Sequence, residues 1–124
     1  MNKRLAFIRT FAEESDIIEE LKDRFGDVPR ETRDLIKIAR IKGMADDLRV
    51  KRVYEIDKHI VMSFDQFSHI TAESIIAINA EFGVRSFIHG GNKPYIRIYV
   101  NPDKRLDDTI KLLVLLKGDK ADAV

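Results

Sequence analysis

An α+β fold, in which helices lead into a ββαββα unit carrying a small antiparallel sheet, is what this sequence predicts. Two observations predict it. Up to Leu48 apolar residues recur at helical spacing; beyond it, short β-branched and aromatic runs of period two alternate with two further helical patterns. A chain of 124 residues with 44% hydrophobic content suits one compact domain with its own core. The expected organisation is a single unit over 1–124, with a helical part at 1–48 and a ββαββα part at 49–118.

The helical part opens with Leu5, Ile8 and Phe11 or Ala12 at helical spacing. SDIIEE then offers Asp16 with Glu19 three residues on, the spacing of a capping box. Ile17, Ile18, Leu21 and Phe25 carry an apolar stripe to Gly26, a residue suited to the left-handed conformation that closes a helix. Pro29 suits the first turn of the next helix, where its missing N–H is no loss. That helix is predicted from about Arg30 to Leu48. Its apolar face is predicted from Leu35, Ile38, Ile41 or Ala45, and Leu48, reinforced by Ile36, Ala39 and Met44.

Past Leu48 the period changes. VKRVYEI (Val50 to Ile56) and IVMSF (Ile60 to Phe64), joined by Asp57-Lys58-His59, outline a hairpin with Ile60, Met62 and Phe64 on one face. Thr71 opens a helix on which Ala72, Ile75, Ile76 and Phe82 align and which Gly83 stops. RSFIH and YIRIYV follow as strands, separated by GGNKP; Ile96, Ile98 and Val100 face one way, Tyr95, Arg97 and Tyr99 the other. Asn101-Pro102 starts a last helix whose buried stripe is Leu106, Ile110, Leu113, Val114 and Leu116, ending near Gly118.

Composition narrows the function. With 22 basic against 21 acidic residues the formal charge is +1, so no global field marks a polyanion binder. The halves are equally balanced, 10 basic against 11 acidic residues up to Leu48 and 12 against 10 beyond it. The absence of cysteine removes disulfides, thiolate metal sites and thiol nucleophiles, and fits a reducing cytoplasm. The apolar run IKLLVLL is far short of the ~20 residues that cross a bilayer, and the amino terminus lacks the pattern of a signal peptide, so no membrane partner is expected.

Candidate chemistry is sparse. HGGNKP is not a phosphate loop, since no GxxxxGK[ST] pattern or following helix accompanies it, and it reads as a strand connection. His59, His69 and His89 stand at no ligand spacing, so no metal is expected. The pairs Asp46-Asp47 and Asp107-Asp108 diverge by about 100° on a helix and read as solvated charge. No nucleophile, base and orienter grouping suggests catalysis, and no catalytic residue is assigned. Tyr95, Arg97 and Tyr99 alternate on one strand face, which suits either cross-strand packing or a small nucleic-acid-binding module. Glu20 and Asp23 share a helix face near a C-terminus, where the dipole disfavours acids by about 0.3–1 kcal/mol. Either the adjacent Arg24 offsets this, or a cation from elsewhere, such as a bidentate arginine, docks there.

Leu21, Asp23-Arg24-Phe25-Gly26, Val28-Pro29 and the Leu35…Ile38-Ala39-Arg40 helix running to Leu48 resemble the C-terminal domain of the bacterial transcription-repair coupling factors, the Mfd family. The resemblance is densest from about Arg4 to Val53 and continues collinearly through the ββαββα part. It implies a non-catalytic fragment of a large ATP-dependent DNA translocase of nucleotide excision repair, a cytoplasmic protein that removes stalled RNA polymerase and recruits UvrA. ATP and magnesium would belong to the motor domains, as would DNA binding, so this fragment itself needs no cofactor. It further implies an autoinhibitory role, in which the domain packs on the UvrB-like N-terminal module of the same protein and hides the surface that UvrA needs. Glu20 and Asp23, with Arg24 adjacent, are the contact residues that the resemblance implies.

Overall fold

The computed structural model describes residues 8–118. Leu5 of the first predicted stripe lies outside the described residues. The remaining elements are α1 (Phe11–Phe25), α2 (Arg30–Asp47), β1 (Val50–Ile56), β2 (His59–Phe64), α3 (Ala72–Phe82), β3 (Ser86–His89), β4 (Tyr95–Tyr99) and α4 (Arg105–Lys117). Helices therefore precede a ββαββα unit, as the periodicity change at Leu48 predicts.

The helix ends have local causes. Thr10, not Asp16, caps α1: its hydroxyl accepts from the Glu13 N–H at 3.1 Å, and the Glu13 carboxylate accepts from the Arg9 N–H at 3.1 Å. Thr10 and Glu13 offer the same spaced pair as Asp16 and Glu19 but stand where the chain is still extended, so Asp16 falls in mid-helix. Gly26 closes α1 at φ 83°, with its N–H donating to the Lys22 carbonyl. Pro29 is the cap of α2 and not part of its first turn, because its ψ of 154° is extended. Thr71 caps α3 by accepting from the Ser74 N–H. Before α4, Pro102–Lys104 form a short 3-10 turn in which the Asn101 side chain accepts from the Asp103 N–H.

The four strands form one antiparallel sheet in the order β1-β2-β4-β3. Asp57 and Lys58 make a two-residue turn with φ of 49° and 61°. Positive φ at both positions matches the right-handed twist of the strands it joins, and His59 belongs to β2. On the inner face Val53, Met62, Ile96 and Ile88 lie in register, beside Ile60 and Ile98. Against it pack Ile41 and Met44 of α2, Ile78 and Phe82 of α3, and Leu112, Leu113 and Leu116 of α4. A smaller cluster of Ile8, Ile17 and Ile36 joins α1 to α2.

Two helices bury only part of the predicted face: Ile36, Ile41, Met44 and Ala45 of α2 and Phe82 of α3 are buried as predicted, and the remainder differs. On α2, Leu35 is 61% exposed and Ile38 is also exposed, whereas Ile36, Arg40, Ile41, Gly43, Met44 and Ala45 are buried. The Leu35–Ile38 line continues into Lys42, while the buried line runs through Arg40 and Gly43, which a search for apolar side chains passes over. On α3, Ala72 and Ile76 face solvent and Ser74, Ile78 and Phe82 are buried. Ser74 is tolerated inside because its hydroxyl donates to the Leu116 carbonyl at 3.3 Å. Ile110, Leu113 and Leu116 of α4 are buried as expected, Leu106 and Val114 are half-buried, and Leu112 joins the core.

Candidate protein-docking site

The amphipathic pattern of α1 decides which way its acids point. Glu14 and Ile17 are buried, and Ile18 and Leu21 pack half-buried towards α2. The opposite side carries Asp16, Glu19, Glu20 and Asp23, spaced three, four and seven apart and hence along one line of the helix. With Arg24 they line a shallow depression of about 530 Å³. Among the described residues four carboxylates and one guanidinium line this depression.

That guanidinium is a weak offset. Arg24 Nη2 stands 3.9 Å from Glu20 Oε1, with side-chain exposures of 69% and 37%. An exposed pair of this kind contributes at most about 1 kcal/mol. Among the described residues Asp16, Glu19 and Asp23 have no salt-bridge partner, and Asp23 sits in the last turn, where helix carbonyls oppose it. The structure therefore brings Glu20, Asp23 and Arg24 together and adds Asp16 and Glu19. The signal for the two extra acids is their spacing, legible once the helix starts at Phe11. Phe25, 77% exposed, ends the same helix.

Other acids that read as solvated surface charge are used within the fold. Arg9 Nε donates to Asp47 at 2.9 Å and Arg9 Nη2 lies 3.5 Å from Asp46. The hydrogen bond to Asp47, and after it the charges of Asp47, Asp46 and Glu13, raise the Arg9 guanidinium above its ordinary range. Asp107 accepts from Lys37 of α2 at 2.7 Å. Asp108, buried, accepts from Arg85 at 3.3 Å. The Lys37–Asp107 and Arg85–Asp108 pairs, with Arg40 and Glu14, line a cleft of about 610 Å³ between the helices. Each of its carboxylates already faces a cation.

The remaining candidates are dispersed. His59 Nδ1 lies 2.8 Å from the Asp57 carbonyl oxygen, His69 is exposed, and His89 stacks on Tyr95 at 5.1 Å. Among the described residues no three or more His, Asp or Glu side chains are placed to hold a metal ion. Among those same residues no helix is long and apolar enough to cross a membrane. Tyr95, Arg97 and Tyr99 lie on β4, which is an interior strand of the sheet and not an edge.

The residues of α1 fall within the part of the chain that comparison with known proteins matches. Residues 1–75 match the model of the TRCF domain. This chain belongs to the TRCF domain family. It is 33% identical over 76 residues to the transcription-repair-coupling factor of Escherichia coli and 30% identical over 76 residues to that of Borreliella burgdorferi. The aligned stretch is 61% of this chain but only 7% of either relative. Among solved structures, the crystal structure of the C-terminal domain of transcription-repair coupling factor is similar at a TM-score of 0.75 and 22% identity, over 94% of this chain and 74% of that one. The α+β arrangement of this TRCF domain is thus that of a known fold, and the α1 acids lie within the matched residues.

Proposed function

We propose that this TRCF domain is a non-catalytic regulatory latch of a DNA translocase in transcription-coupled nucleotide excision repair. Its acidic α1 face docks on the UvrB-like module of the same protein and masks the surface that UvrA binds. ATP, magnesium and DNA are handled by the motor domains of the cytoplasmic parent, which also engages RNA polymerase. The observation that carries this reading is the line of acids on the outer side of α1, running to Asp23 at a helix end whose own field disfavours it, within a TRCF domain.

Arginines of the partner module would relieve that conflict, because a guanidinium meets a carboxylate with two parallel hydrogen bonds. Individual exposed pairs are weak, so several must act together, and the acidic line supplies four carboxylates. The latch need not be strong. A bias of about 3 kcal/mol keeps the open form below about one per cent, and engagement of polymerase or a nucleotide-driven motion is sufficient to overcome it.

Glu20→Arg combined with Asp23→Arg in the full-length protein tests the latch. UvrA affinity and basal ATPase should both rise while the domain's melting temperature stays unchanged. UvrA binding equal to that of the unmodified protein would count against docking through this face. Calorimetric titration of this domain into the UvrB-like module reports the contact itself.

A further inference from the structure

The outer face of the sheet has a composition unlike the rest of the surface. Its middle row runs Tyr54, Val61, Arg97 and Phe87 across all four strands. Arg52, Ser63, Tyr95 and His89 make the row on one side, and Ile56, His59 and Tyr99 the row on the other. None of these side chains is a carboxylate. The helices pack on the opposite face, whose residues make up the main core.

Rings and guanidinium groups on this face are arranged as planes. Arg52 lies over the Tyr54 ring with 4.5 Å to the centroid, and Arg97 over the Phe87 ring at 4.9 Å. His89 and Tyr95 stack with 26° between their rings, and His59 meets Tyr99 edge-on at 5.5 Å. Phe87 and Tyr99 are nevertheless 46% and 43% exposed, and Ile56 is 55% exposed. A face that served only to cover itself would not leave its largest apolar groups this open to water.

We propose that this outer sheet face binds single-stranded nucleic acid, stacking bases on its aromatic rings and holding phosphates with Arg52 and Arg97. Charge complementarity selects a polyanion, since among the described residues the paired positions of this face carry two guanidinium groups and no acid. Flat rings select an anion with exposed π faces, which an acidic peptide lacks and a duplex keeps inside its stack. Four strands at about 4.8 Å spacing give a platform roughly 14 Å wide, enough for the two or three bases that open sheets stack. The near-zero net charge of the chain does not oppose this, because four of the acids lie in one line on α1 and Glu14, Asp107 and Asp108 are paired in the cleft between the helices, away from this face.

Fluorescence anisotropy with a fluorescein-labelled oligothymidylate of roughly 12 nucleotides, within the ~4–16 that single-strand grooves engage, tests the assignment on the whole chain. Saturable binding at about 50 mM salt that weakens towards 200 mM is expected, with a duplex of equal length bound several-fold less tightly. Tyr99→Ala should weaken the oligothymidylate by about five-fold or more. Arg97→Ala should do likewise and reduce the salt slope by about 0.7. Lys42→Ala, on the exposed side of α2, should leave binding unchanged. Circular dichroism confirms that each variant folds. Absence of binding, duplex bound as tightly as single strand, or equal losses in Lys42→Ala and Arg97→Ala would each overturn the proposal. So would self-association abolished by Tyr99→Ala without nucleic-acid binding, which would assign the face to a second copy of the chain. The residues involved are not those of the docking helix, so either assignment can fail alone.

Discussion

Arg40 is 1% exposed, an unusual position for a residue that carries charge at all working pH values. Its Nη1 lies 3.3 Å from Glu14 Oε1, which is itself buried, and its guanidinium carbon is 5.9 Å from the centroid of the Phe11 ring. The pair links α1 to α2 across 26 positions of sequence. In a low-dielectric setting, removing one partner strands the other charge, whereas removing both restores an apolar contact. Arg40→Ala is therefore expected to lower unfolding free energy in urea by about 3–5 kcal/mol. Arg40→Met with Glu14→Leu should recover most of that loss. If the double variant is as unstable as the single one, charge pairing is not what Arg40 contributes. The family-like IAR motif flags this residue in the sequence, but its apolar neighbours there give no sign that the arginine itself points inward.

At the scale of elements, the junction between α1 and α2 depends on a close approach. A Cβ added at Gly43 would overlap the carbonyl oxygen of Ile8, the residue that leads into α1 and completes the small apolar cluster. Alanine is a better helix former than glycine by about 1 kcal/mol, so propensity alone argues for stabilisation. Overpacking against backbone costs about 1–3 kcal/mol and more where nothing can yield. Gly43→Ala should thus lower the thermal midpoint despite its helix propensity, and a rise would show that the approach is not tight. Strand elements behaved more simply. Period two made Ile60, Met62, Phe64, Ile96, Ile98 and Val100 legible as core residues, and all six are buried. The same alternation identified the Tyr95, Arg97 and Tyr99 face, while their neighbours Tyr54, Phe87 and His89 were not legible, because strand order is a non-local property.

Across the whole molecule, a formal charge of +1 conceals two unlike surfaces, an acidic line on α1 and an acid-free aromatic and basic sheet face. Phe25 closes the same helix on the side opposite the acids, in line with Ile18 and Leu21. At 77% exposure it contributes little to the fold, yet interface hot spots are typically aromatic groups that become desolvated on docking. Phe25→Ala should change stability by no more than about 0.5 kcal/mol while weakening calorimetric association with the UvrB-like module by about ten-fold, since such anchors are commonly worth more than ~1 kcal/mol. Unaltered association would remove Phe25 from the proposed docking surface and leave the acids as its assigned contacts.

Sequence alone determined the order and kind of the elements, the glycine stops at Gly26, Gly83 and Gly118, the inner faces of β2 and β4, and the family resemblance that the comparisons bear out. These are legible because capping chemistry and alternation act over a few residues. Tertiary structure decided that Leu35, Ile38 and Ile76 stay exposed while Arg40, Gly43 and Ser74 are buried, placed β4 inside the sheet, and turned Asp107 and Asp108 into partners of Lys37 and Arg85. Lys37 and Asp107 are separated by 70 positions, and no local pattern connects them. Periodicity states which residues share a face; only packing states what that face meets, because burial is a property of the neighbour as much as of the helix.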